Sequence, residues 1–89
     1  MASVRMYSTG LCPYCIMAEK LLARHGVTQI EKIRVDLDPA ARDTMMAETQ
    51  RRTVPQIFIG TRHVGGFDDL ALLERQGELS RWLEASGGS

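Results

Sequence analysis

Apolar positions recur along the chain with periods that change from one segment to the next. Val4-Arg5-Met6-Tyr7 alternates weakly and predicts a short strand. Ser8 to Leu11, with Gly10, predicts a loop. A helix is predicted from near Cys12, because Pro13 suits a first helical position, where its missing N–H costs nothing. Met17, Ala18, Leu21 and Leu22 share one face of that helix, and Gly26 after His25 is its stop signal. Ile33, Val35 and Leu37 alternate with Arg34 and Asp36, the pattern of a strand with one buried face. Asp38-Pro39 then opens a second helix, with Asp38 as cap and Pro39 in the first turn. It runs to about Thr49 on a thin apolar stripe of Ala41 and Met45. Gln56-Ile57-Phe58-Ile59 is a compact strand, Gly60-Thr61-Arg62 a turn, and His63-Val64 a short return strand. After Gly65-Gly66, Leu70, Leu73 and Gly77 mark a third helix. Leu79, Trp82 and Leu83 mark a last short one, with Trp82 as a core anchor.

The main order is β-α-β-α-β-β-α, an α/β arrangement. Its βαβ first half predicts parallel strands with a right-handed crossover, and the hairpin after Pro55 adds antiparallel ones. The expected architecture is a four-stranded mixed β-sheet flanked by helices on both faces. A chain of 89 residues accommodates one domain, 1–89. Ser86-Gly87-Gly88-Ser89 is expected to be a disordered tail. No internal repeat or low-complexity segment interrupts the pattern.

Charge excludes several classes of function. Eleven basic and eleven acidic side chains cancel, so no global field draws the protein to nucleic acid or anionic lipid. No apolar run approaches the roughly 18–20 residues that span a bilayer. Met1-Ala2-Ser3-Val4-Arg5 leads directly into a strand rather than into a signal-peptide pattern. A cytoplasmic monomer is expected.

The chemistry centres on two cysteines, Cys12 and Cys15. A structural disulfide at that spacing closes almost no loop and constrains the unfolded chain very little. Cys12-Pro13-Tyr14-Cys15 follows a strand and opens a helix, which is the setting of redox pairs. Helix N-termini carry partial positive charge and unpaired N–H groups that favour a thiolate. Cys12, nearest those groups, reads as the nucleophile, and Cys15, one turn further in, as the resolving thiol. A zinc site needs four ligands, and only His25 and His63 remain, far apart and unpaired in sequence. Those histidines and Met6, Met17, Met45 and Met46 read as packing or surface residues.

Two further segments admit alternative readings. Thr53-Val54-Pro55 precedes a strand, where proline is tolerated; by itself it reads as an ordinary trans proline. Gly65-Gly66-Phe67-Asp68-Asp69 is either a capped helix start or a small anion site built on helix N–H groups, with Asp68 free to pair an ammonium. Arg51-Arg52 is either a solvated pair or a receiver for a carboxylate.

Together, Cys12-Pro13-Tyr14-Cys15, Thr53-Val54-Pro55-Gln56-Ile57-Phe58-Ile59 and Gly65-Gly66-Phe67-Asp68-Asp69-Leu70 resemble the small dithiol glutaredoxins, from Val4 to about Leu83. Thioredoxins normally place Gly-Pro between the cysteines and tryptophan before them; here Leu11 precedes Cys12. The resemblance implies a thioredoxin-like fold, a cis Pro55 facing the cysteine pair, and glutathione as co-substrate with no tightly bound cofactor. It implies that Val54 pairs by its backbone with glutathione's cysteinyl part. Gly66, Phe67 and Asp68 would hold the γ-glutamyl end, and Tyr14, Arg51 and Thr53 would line the side of the glycine carboxylate. Implied partners are glutathione and glutathionylated or disulfide-bearing proteins. Many relatives carry lysine where Thr9 stands, and cysteine or serine where Phe67 stands. Two other functions share the pattern. One is an iron–sulfur scaffold using Cys12 and glutathione, although such relatives mostly have Cys-Gly-Phe-Ser. The other is a thioredoxin-type reductant served directly by a flavoprotein.

Overall fold

The computed structural model describes residues 2–87. The elements are β1 (Val4–Ser8), α1 (Pro13–Arg24), β2 (Ile30–Arg34), α2 (Pro39–Thr49), β3 (Gln56–Ile59), β4 (Arg62–Gly65), α3 (Phe67–Arg75) and α4 (Leu79–Gly87). The sheet order is β2-β1-β3-β4. β1 and β2 run parallel, and β1–β3 and β3–β4 pair antiparallel. The four-stranded mixed sheet flanked by helices is the one expected from the pattern.

The period of two along the central strands sorts side chains between two cores. Val4, Met6, Ile57 and Ile59 join Ala18, Leu21, Leu22, Leu70, Leu79 and Leu83 on the side of α1, α3 and α4. Tyr7 and Phe58 point the other way, to Val35 and to Met45 of α2. Tyr7 is 2% exposed, and its hydroxyl is bonded to Glu48 and accepts from Arg5 Nη1 at 3.0 Å. That network satisfies the phenol while the ring fills the smaller core.

Three expectations are corrected. β2 lies earlier than the alternation around Ile33, Val35 and Leu37 suggests. Its register against β1 runs from Val4↔Ile30 to Ser8↔Arg34, and the chain turns after Val35 N donates to Ser8 O at 3.0 Å. Leu37 is therefore 72% exposed. The apolar face of α1 is Cys15, Ala18, Leu21 and Leu22, with Met17 outside it. Cys15 acts there as a small hydrophobe, which shifts the stripe around the helix. Trp82 is half-buried rather than central: it packs on the rim of the larger core with the Arg62 guanidinium 3.5 Å from its ring centroid.

Helix ends follow their local chemistry. Asp38 accepts from the N–H groups of Ala40 and Ala41 at 3.1 and 3.2 Å, with Pro39 at the first turn of α2. α4 extends through Ser86 and Gly87, the first half of the segment expected as a tail. Gly88 and Ser89 lie outside the described residues. Among the described residues, no helix is long and apolar enough to cross a membrane.

Candidate active site

Cys12 is the N-cap of α1, with extended backbone (φ −142°, ψ 91°) and Pro13 directly after it. Its carbonyl accepts from Cys15 N and Ile16 N at 3.1 and 3.2 Å, and its Sγ accepts from Cys15 N at 3.2 Å. The cap position of Ser or Asp in an ordinary helix is thus filled by sulfur. Cys12 and Cys15 are joined by a disulfide, with Cα atoms 5.2 Å apart. Cys12 is 8% exposed and Cys15 3%, and Cys15 belongs to the buried face of α1.

The loop before β3 reaches the same end of the sheet. The Val54–Pro55 peptide is cis. Tyr14, Arg51, Thr53, Val54, Pro55, Gly66, Phe67 and Asp68 line one groove of about 340 Å³ together with Asp69. The rings of Tyr14 and Phe67 lie 6.2 Å apart across it, and Tyr14 is 58% exposed. The eight residues singled out in the sequence beside the cysteines are therefore neighbours in space. A larger depression of about 570 Å³ lies around Ala2, Val27 and Gly60 and holds neither cysteine.

Asp69 is the groove residue that sequence reasoning missed. Its Oδ2 accepts from Gly66 N at 2.9 Å and from Arg51 Nη1 at 2.8 Å. Gly66 is the N-cap of α3, and an acid three positions on that reaches back to the cap N–H is half of a capping box. That spacing was the available signal. The Arg51 guanidinium, then the Gly66 N–H, hold the Asp69 carboxyl below the usual range, against the opposing effect of burial. Gly65 must be glycine for this to happen. Its φ is +119°, and a Cβ there would stand 2.8 Å from Asp69 Cγ and 2.9 Å from Arg51 Nη1.

The chain as a whole resembles proteins of known type. Residues 4–64 match the family model described as Glutaredoxin. The chain belongs to the glutaredoxin family. It is 51% identical over 83 residues to a glutaredoxin of Neisseria meningitidis, covering 93% of this chain and 98% of that protein. The solution structure of a glutaredoxin from Brucella melitensis is 44% identical, with a TM-score of 0.82 over 98% of this chain and 92% of that one. A buckwheat glutaredoxin–glutathione complex is 30% identical, with a TM-score of 0.87 over 97% and 80% of the two chains. The fold is thioredoxin-like, and the chain is a thiol–disulfide oxidoreductase with a redox-active cysteine pair.

Other polar residues of this glutaredoxin-family chain have structural partners. His25 Nε2 lies 2.9 Å from Glu74 Oε2, tying the end of α1 to α3. On the far side of the cysteines, Thr9, Gly10, Cys12, Cys15, Lys32 and Arg34 line a second depression of about 340 Å³. Arg34 donates twice to Asp36, at 2.7 Å each, and Gly10 N donates to Asp36 Oδ2 at 3.1 Å. That pair pins the active-site loop to the end of β2.

Proposed function

We propose that the chain reduces glutathione mixed disulfides and protein disulfides with glutathione as electron donor, Cys12 being the nucleophile and Cys15 the resolving thiol. The observation that carries this reading is the groove that joins Tyr14, inside the cysteine motif, to the Thr53–Pro55 loop and the start of α3. In it, Val54 presents a strand-like backbone edge to a cysteinyl residue. Gly66 N–H is occupied by Asp69, so the N–H groups of Phe67 and Asp68 serve the γ-glutamyl carboxylate, and the Asp68 side chain serves its ammonium. Tyr14, Arg51 and Thr53 border the end where the glycine carboxylate lies. The buckwheat relative solved as a glutathione complex supports the same ligand.

With a glutathionylated protein, the Cys12 thiolate attacks the glutathione sulfur and the protein thiolate leaves. A second glutathione thiolate then attacks that mixed disulfide, releasing oxidised glutathione and the Cys12 thiolate. With a protein disulfide, Cys12 forms the intermolecular bond and Cys15 attacks Cys12 Sγ. The reduced partner leaves, and the Cys12–Cys15 disulfide remains. Two glutathione molecules return that pair to thiols and are themselves joined as a disulfide. In this reading the chain works as a monomeric single domain in the reducing cytoplasm, with glutathione and thiol-bearing proteins as partners.

The test compares kcat/KM, with glutathione as reductant in both cases, for a small glutathionylated peptide and for the same peptide in mixed disulfide with a simple monothiol. The glutathionylated peptide should be preferred at least about tenfold, since one charge-assisted contact alone is worth roughly 1.5–3 kcal/mol. Equal values would show that the groove does not recognise glutathione.

A further inference from the structure

Gln56 opens β3 directly after cis-Pro55 and is 0% exposed. A buried amide on a central strand needs partners for both of its ends. Its Nε2 lies 3.0 Å from Thr53 O and 3.4 Å from Thr53 Oγ1. Its Oε1 lies 2.8 Å from His63 Nε2 on β4. The orientation of the amide follows from the carbonyl: Thr53 O only accepts, so the NH2 group faces it. The oxygen then faces His63, whose Nε2 must carry a hydrogen. The NH2 group also donates to Thr53 Oγ1, which leaves that hydroxyl's own hydrogen for another acceptor. Thr53 lines the groove. His63 is held in turn, its ring centroid 4.9 Å from that of Phe58.

We propose that Gln56, oriented by His63, is a positioning residue for the Thr53–Val54–Pro55 loop and turns the Thr53 hydroxyl into a donor aimed at the carboxylate of a bound glutathionyl group. The inference rests on the glutathione reading above. Neither residue touches the ligand; the chain His63–Gln56–Thr53 runs from the edge strand to the groove wall. Histidine suits the outer position because its Nε2–H survives in the neutral form, while the ring fills space against Phe58.

The test uses His63→Phe, which keeps the ring and removes the donor, His63→Gln, which restores a donor, and Gln56→Leu. Each is assayed for KM and kcat on a glutathionylated peptide and for the pH dependence of Cys12 alkylation by iodoacetamide. His63→Phe and Gln56→Leu should raise KM about fivefold or more, the effect of losing one neutral hydrogen bond. Neither should move kcat or the alkylation profile, and His63→Gln should recover most of the loss. If Gln56→Leu does not fold, the half-buried His63 variants carry the test alone. Asp68→Ala serves as reference for the groove. A raised KM in Asp68→Ala with an unchanged KM in His63→Phe would overturn the positioning role and leave the glutathione reading standing. An unchanged KM in both would overturn the glutathione reading itself. A changed alkylation profile, or no recovery in His63→Gln, would also overturn the proposal, since the pair would then act on the thiol or by ring shape.

Discussion

Arg51 and Asp69 meet across the floor of the groove, Nη1 to Oδ2 at 2.8 Å, and the same carboxylate oxygen takes the Gly66 N–H at 2.9 Å. One acid thus joins the loop before cis-Pro55 to the first turn of α3. Arg51 enters the groove already anchored through one nitrogen, with the rest of its planar fork free to meet a carboxylate. The pair bridges the two walls of the groove.

Asp69→Asn should lower stability in a pH-dependent way. The Asp69 carboxyl is held below its usual value, chiefly by Arg51. A depressed carboxyl stabilises the fold above its unfolded pKa of about 3.9 and loses that contribution as pH falls through its folded value. Both side chains are well exposed, 45% and 41%, so the charge is worth only about 0.5–1 kcal/mol. At neutral pH the variant should melt roughly 2–8 °C lower. Thermal unfolding from pH 7 down to pH 2.5 should show that gap closing below about pH 4. A gap of constant size would mean that the charge contributes nothing.

Asp68→Ala separates recognition from capping. Asp69, not Asp68, bonds the Gly66 N–H, so Asp68 is exposed at the helix start without a cap bond to lose. Removing it should raise KM for a glutathionylated peptide by about ten- to a hundredfold, the range for one charge-assisted hydrogen bond. The melting temperature and Cys12 alkylation should stay nearly constant. Normal kinetics with a lowered melting point would instead make Asp68 a helix-start residue only.

The parts of this site legible in the sequence are those written in local chemistry. Asp38 before Pro39 reads as a helix cap because cap and proline act within four residues, and it is one in the structure; Pro13 marks the start of α1 in the same way, and the structure shows Cys12 before it to be the cap. The cis state of Pro55 was not readable from its spacing; only the resemblance to a family implied it. Non-local register was also hidden. β2 slid away from the Ile33, Val35 and Leu37 alternation because pairing with β1 ends at Arg34. His63 looked like a surface or packing residue because its partner is set by the irregular β3–β4 pairing, with a register shift between Ile57 and Phe58. The choice between Asp68 and Asp69 turned on a reach-back contact that two adjacent acids leave ambiguous in sequence.

Thr9 shares the second depression with Cys12. Thr9→Lys should lower the pH midpoint of Cys12 thiolate formation, since a cation beside a thiolate favours its charged form. Ultraviolet thiolate absorbance followed against pH, on the reduced protein, measures this directly. A midpoint that stays put or rises would show that the side chain at position 9 does not face the sulfur.

The division of labour between the two sulfurs is the centre of the account, and single-cysteine variants assayed on a glutathionylated peptide and on a protein disulfide measure it. Cys12 caps α1 and lies nearest its N–H groups, whereas Cys15 is packed one turn in. Cys12→Ser should be inactive on both substrates. Cys15→Ser should keep deglutathionylation, because a second glutathione can release the Cys12 mixed disulfide, and should lose protein-disulfide reduction, which needs the resolving thiol. A Cys15→Ser protein inactive on the glutathionylated peptide, or a Cys12→Ser protein active on it, would contradict the assignment.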